Sequence, residues 1–259
     1  MTETIQRFLD AVETCVRPLT KPVGIKLAAE GEAAPPKTKR PLEHLKRRMT
    51  VCQGLTAART LGWTMAFGAD DHGCPMPKVF AGHIPPDRLL TGQVADFYQA
   101  DPEVARAMEA SYPRWPEGRY REIWLAPLDR CAFEPHVVVV YGNPAQVLAL
   151  IQAGNFGVGT GVRSVSSGRF GCSAWIAGVA QSGECTYLVP GPGERVFAGT
   201  QDHEMAFAAP AGALDRVAAG LNHVRRGGAY RYPVPNLAAL SEPQMPPKYH
   251  EIDPTHAPD

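Results

Sequence analysis

The chain carries six cysteines in 259 residues, and three of them stand in local sequence suited to ligation or nucleophilic attack. Cys74 lies in Gly68-Ala69-Asp70-Asp71-His72-Gly73-Cys74-Pro75, a stretch too irregular for either helix or strand. Cys172 follows Gly171 and opens a run of small residues that ends at Ala180. Cys52 sits in Met49-Thr50-Val51-Cys52-Gln53-Gly54. A glycine beside a cysteine lets the backbone bend around a ligand, and a cysteine at a helix start has its thiolate stabilised. No CxxC or CxxH pair occurs, which argues against a zinc site built on paired knuckles. Three well-separated thiols suit an iron–sulfur cluster with one open iron, here a four-iron four-sulfur cluster, or a single nucleophile with two bystanders. Cys15, Cys131 and Cys185 occur in plainer contexts and read as small buried hydrophobes.

Three further groups of residues bear on chemistry. Asp70, Asp71 and His72 can converge in a loop, so that a carboxylate acts as general base with His72 as partner; the alternative is a solvated turn with a capping Asp. Gly157-Val158-Gly159-Thr160-Gly161 resembles an anion-binding loop, although it matches neither GxGxxG nor a P-loop. Arg163, Ser164, Ser166, Ser167 and Arg169 follow it directly and would hold a carboxylate or phosphate. Arg195, Thr200, Gln201 and Asp202 gather before a strand, either as pocket lining or as loop hydrogen bonds.

Lys+Arg and Asp+Glu balance at 26 each, which argues against nucleic acid as the partner. No run of 18 apolar residues is present, so no membrane span is expected. Met1-Thr2-Glu3-Thr4-Ile5 does not start a secretory signal. A cytoplasmic protein is expected, with its cysteines as thiols, ligands or nucleophiles rather than disulfides.

These residues need a scaffold. Ile5, Phe8, Leu9 and Val12 recur at helical spacing, which predicts a helix over Thr4–Val16. A long helix is predicted from Leu42 to Leu61, closed by Gly62. Asp101 caps a helix to Ala110, with Pro102 in its first turn. Val23–Leu27, Trp63–Phe67 and Ile123–Ala126 read as short strands. His136–Tyr141 is a β-branched run suited to a buried central strand. Asn143 and Pro144 then start a helix whose apolar face is Val147, Leu148, Leu150 and Ile151. A similar strand, proline and amphipathic helix recurs over Glu204–Leu221. The expected fold is therefore α/β, a mixed sheet with flanking helices and two related halves. Residues 1–231 are expected to form one domain. The tail 232–259 holds seven prolines in 28 residues, which excludes a regular element there and offers a route to a homo-oligomer.

Several motifs occur together in order: Lys21-Pro22-Val23-Gly24-Ile25-Lys26, Cys52-Gln53, Cys74-Pro75, Tyr141-Gly142-Asn143-Pro144-Ala145-Gln146-Val147, Gly171-Cys172-Ser173, and Arg195 through Phe207. Over roughly residues 20–225 this resembles the domain of unknown function 169 family. The resemblance implies a prokaryotic protein common in anaerobes and assigns no reaction. All three singled-out cysteines fall inside the family-like motifs. The reading expected from these residues is an iron–sulfur enzyme of lyase or desulfurisation type. Cys52, Cys74 and Cys172 would hold the cluster, and Asp70, Asp71 or His72 would transfer protons. Arg163, Arg169, Arg195, Thr200 and Gln201 would bind a small anionic substrate. The alternatives are an electron-transfer or cluster-carrying protein, an enzyme with a cysteine nucleophile and His72, His83, His136 or His203 as base, and a ligand-binding module.

Overall fold

A computed structural model describes residues 2–94, 98–164 and 166–227. The six strands are β1 (Val23–Ala28), β2 (Met65–Phe67), β3 (Glu122–Pro127), β4 (Val137–Gly142), β5 (Thr186–Leu188) and β6 (Met205–Pro210). They form one sheet in the order β2-β3-β1-β4-β6-β5. β1 lies at its middle, with Ile25 opposite Leu125 on one side and Val137 on the other. The fold is α/β as expected, but every pairing of these strands is antiparallel rather than mixed. The two strand–proline–helix units explain the difference. β4 and β6 pair directly with each other, Val138 opposite Ala209. Between them the chain passes through β5 on the far side of β6, so no direct parallel crossover is made.

Alternation along the strands divides the core in two. Val138 and Val140 of β4, with Phe207 and Ala209 of β6, face a layer of three helices. These are α1 (Glu3–Cys15), α6 (Pro144–Gly154) and α9 (Leu214–Gly227). Thr2 caps α1. Asn143 caps α6 in a reciprocal box with Gln146, with Pro144 in the first turn, because both supply what a helix start lacks. Val137, Val139 and Tyr141, with Ile25, Leu27, Ile123 and Leu125, face the other way. That side is covered by shorter pieces: α2 (Pro41–Leu45), α3 (Val51–Thr56), α4 (Pro75–Phe80), α7 (Val179–Ser182) and α8 (Pro192–Ala198). α5 (Pro102–Ala110) is capped by the side chain of Asp101.

The single helix expected over Leu42–Leu61 is interrupted. Lys46 adopts a left-handed conformation, φ 55°, and ends α2. Met49 then runs extended and pairs with His72: its N–H donates to Asp71 O at 3.0 Å, and its carbonyl accepts from Gly73 N–H at 2.8 Å. Thr50 restarts the helix through a capping box with Gln53. The stretch Gly68–Pro75, expected to be irregular, holds one short 3-10 turn, Ala69–Asp71, and ends where Pro75 opens the helix α4. The proline-rich tail 232–259 lies outside the described residues.

Candidate functional site

The interruption at Met49 has a functional consequence. It ties the start of α3 to the His72–Cys74 segment, and so brings together two stretches 22 positions apart that carry Cys52 and Cys74. Cys172 belongs to the core on the same face of the sheet. Phe170 turns the chain with φ 52°, and its carbonyl accepts from Ser173 N–H at 2.9 Å. A π-helical turn, Ser173–Gly178, follows and runs into α7. This turn packs on α4. α3 likewise continues as a π-turn, Ala57–Leu61. Such wide turns recur at functional sites.

The three thiols lie within electrostatic reach of one another. Burial pushes the Cys172 thiol far up, and charge on Cys52, Cys74 or Glu194 would push it further. Burial also raises Cys52 strongly, with Glu194 and Cys74 adding to it. Cys74 is raised by burial, opposed by the N–H of Met76. The other three cysteines are elsewhere: Cys15, Cys131 and Cys185 all belong to the core on the three-helix side of the sheet. Among the described residues, no three His, Cys, Asp or Glu side chains stand close enough to hold a single metal ion.

Residues that the sequence reading left out stand nearby: Glu194 acts electrostatically on Cys52 and Cys172, and Tyr141 lies within the same reach of Cys52. Glu194 is buried, and burial raises its carboxyl above the usual range. Its Oε1 accepts from the Tyr141 hydroxyl at 3.0 Å, and its Oε2 accepts from Gly191 N–H at 3.0 Å in a helix-capping interaction. The Arg59 guanidinium lies 4.1 Å from the Tyr141 ring centre. It donates to both oxygens of Glu204; despite burial, those bonds hold Glu204 below the usual carboxylate range. Trp175 meets Tyr141 edge-on at 6.1 Å. Its indole N–H is buried and has no hydrogen-bond partner.

The expected proton-transfer residues separate. Asp70 is exposed. Asp71 is buried and its carboxylate accepts from Leu42 N–H and Gly68 N–H, both at 3.0 Å, as the brace of the turn. His72 is buried between Phe67 and His83, with ring centres 5.5 and 5.3 Å away. Burial pushes its pKa down to about 3, assisted by His83 and Lys78.

The expected anion-binding residues disperse too. Arg163 is exposed and lines a cavity of about 240 Å³ with Cys185 and Arg216, beside Val162 of the three-helix core. Arg169 is 3.6 Å from the fully buried carboxylate of Glu109 and lies over the rings of Tyr98 and Phe170. Arg195 donates to Pro190 O at 3.1 Å and Gln201 O at 2.7 Å, and closes its loop. Thr200 is buried, and its N–H donates to Glu194 O at 3.2 Å. Gln201 donates to Glu204 and to Gly199 O.

The family model for the domain of unknown function 169, described as an uncharacterised ArCR, matches residues 11–220. A protein of Methanocaldococcus jannaschii named Uncharacterized protein MJ0308 is 28% identical over 216 residues, which cover 80% of this chain and 90% of that one. No solved structure matches.

Proposed function

This chain belongs to the domain of unknown function 169 family, and we propose that it is an iron–sulfur enzyme acting on a small anionic organic molecule. Cys52, Cys74 and Cys172 hold a four-iron four-sulfur cluster in this reading. The cluster's remaining iron supplies a Lewis acid for a lyase or desulfurisation reaction. One observation carries the proposal: the three thiols are gathered on one side of the sheet, while the other three cysteines lie on the opposite side. Burial favours the neutral thiols there, and bound iron is the kind of partner that reverses this by ligating thiolate. A cluster also spans several metal ions, so its ligands need not converge on a single point. Six free cysteines fit a reducing, cytoplasmic setting. No helix among the described residues is long and apolar enough to cross a membrane.

The test is anaerobic purification or reconstitution, followed by iron and sulfide analysis and absorbance. About four irons per chain and a broad band near about 400 nm that bleaches with dithionite are expected. Cys74→Ser should lose iron, and Cys15→Ser should keep it. A wild-type protein that takes up no iron overturns the proposal, as does equal iron loss in the two variants.

A further inference from the structure

The cavity of about 240 Å³ beside Cys185 lies on the three-helix face of the sheet, opposite the face that carries Cys172. Two cations stand in its wall, Arg163 and Arg216 of α9. Among the described residues neither forms a salt bridge. Arg216 is half-buried. Its guanidinium donates to Gly154 O, at the end of α6, and to Cys185 Sγ at 3.8 Å. Both partners are neutral, since burial raises the Cys185 thiol against the pull of Arg216. A charge withdrawn from water is normally paired, and these partners leave the Arg216 charge unbalanced. Glu184 is the one carboxylate in the wall, and it is exposed. The glycine-rich loop forms the third side. Its foot is clasped, because Asn155 Oδ1 accepts from Val162 N–H at 2.7 Å and Arg163 O accepts from Thr186 Oγ1 of β5 at 2.8 Å. Within the loop, the N–H groups of Gly159, Thr160 and Gly161 meet no acceptor among the described residues. A Cβ at Gly159 or Gly161 would meet nothing within 4 Å, so the space beside them is open.

From these facts we infer that this cavity binds a phosphate group, held by Arg163, Arg216 and the free N–H groups of the glycine-rich loop. Successive backbone N–H groups make concave anion sites, and a guanidinium fork matches the oxygens of an oxyanion. A carboxylate offers two oxygens in one plane. A phosphate offers three or four in a tetrahedron, which suits donors arriving from two arginines and a loop. Its charge, about −1.5 to −2 at pH 7 for a phosphate ester, balances the two guanidiniums. Glu184 opposes the anion only through solvent, where its charge is screened. The site uses none of Cys52, Cys74 and Cys172, so it is independent of the cluster proposed above.

The experiment titrates the full chain with inorganic phosphate, glycerol phosphate and acetate by calorimetry at one fixed low salt concentration, and follows backbone amide shifts by heteronuclear NMR. Phosphate should bind saturably, with acetate at least about tenfold weaker. Tighter binding of glycerol phosphate than of inorganic phosphate identifies an ester as the ligand, and the reverse order free phosphate. Arg163→Ala should weaken phosphate at least about tenfold and leave the phosphate-free Tm unchanged. Arg47→Ala, which removes another exposed arginine, should bind as the wild type does. The largest shifts should fall on the amides of Gly159, Thr160 and Gly161. Arg216→Lys keeps the charge without the fork and should bind more weakly; if it fails to fold, Arg163→Ala and the amide shifts decide. Cys74→Ser should bind phosphate like the wild type. The inference is overturned by an absence of saturable phosphate binding, by acetate binding as tightly, by shifts that avoid the loop, or by loss of binding in Cys74→Ser. A wild type that takes up no iron overturns the cluster reading and leaves this site standing.

Discussion

Gly54 offers a direct test of how the sheet positions the site. It lies in α3, two residues after Cys52. A Cβ at Gly54 would stand 2.6 and 2.7 Å from Cε2 and Cζ of Phe67 and 2.8 Å from Cδ1 of Leu125. Carbon atoms pack comfortably at about 3.5–4.0 Å, so Gly54→Ala demands a shift of about 1 Å. Phe67 and Leu125 are fully buried on β2 and β3 and cannot yield toward solvent, so α3 must lift. Overpacking costs about 1–3 kcal/mol, and three contacts this short place the cost in the upper part of that range, about 2–3 kcal/mol. Alanine's better helix propensity returns about 1 kcal/mol, and the net loss is about 1–2 kcal/mol. At about 2–4 °C per kcal/mol for a chain of this size, Tm should fall by about 2–8 °C. Gly159→Ala is the control, since a Cβ there meets nothing within 4 Å. Thermal unfolding followed by circular dichroism reads both variants. A Gly54→Ala protein as stable as the wild type would refute the argument that α3 is seated on the sheet through this contact. Iron uptake should fall with it, because the same lift displaces Cys52.

Three other outcomes are expected. Glu204→Gln leaves the Arg59 guanidinium, its side chain 3% exposed, buried beside a neutral partner; urea denaturation should read a loss of about 3–5 kcal/mol, and a loss under 1 kcal/mol would mean that the pair is solvated. His72 stays neutral in the folded protein down to about pH 3, whereas the unfolded chain protonates it near about 6.5. The unfolded state therefore binds more protons in that window, and stability falls as pH drops through it by about 1.4 kcal/mol per unit. The wild type should lose about 2 kcal/mol more than His72→Gln between pH 6.5 and 5, and parallel urea midpoints for the two would contradict this. Arg195→Lys cannot reproduce the donations to Pro190 O and Gln201 O, so Tm should drop by an amount equivalent to about 1 kcal/mol with iron content unchanged; a Tm equal to the wild type's would show that those contacts do not brace the loop.

The elements legible in the sequence are those whose signals are local. α1, α5 and α6 each carry a capping side chain, and two of them a proline in the first turn, so their starts can be read within a few residues. β4 is legible because a β-branched run this apolar can only be buried on both faces. The break between α2 and α3 is different in kind. Nothing between Leu42 and Leu61 forbids a continuous helix, and Lys46 is not a residue that favours positive φ. What breaks it is the pairing of Met49 with His72, an interaction 23 positions away along the chain. The antiparallel direction of the sheet was hidden for the same reason, since it is decided by where the chain passes between α6 and β6.

The cysteines separate along that same division between local and distant causes. Cys52, Cys74 and Cys172 were singled out by neighbouring glycines and helix starts, and those features mark places where the backbone leaves regular structure near the sheet. Arginine carries no comparable local signal. Arg163, Arg169 and Arg195 look alike in sequence, yet one faces solvent, one meets Glu109 and one ties a loop through two carbonyls. A guanidinium has five donors and a long stem, so its partner is set by whichever acceptor the fold brings within reach. Glu194 reads in the sequence only as an N-terminal helix residue after Gly191 and Pro192, where its carboxylate accepts from Gly191 N–H. The burial that raises its carboxyl arises only when α8 packs on α3. A residue that caps a helix with one oxygen and holds Tyr141 with the other links the stability of α8 to the floor beneath the thiols. Local unfolding of α8 would therefore be felt first at Tyr141 and Cys172, before the three-helix side of the sheet registers any change.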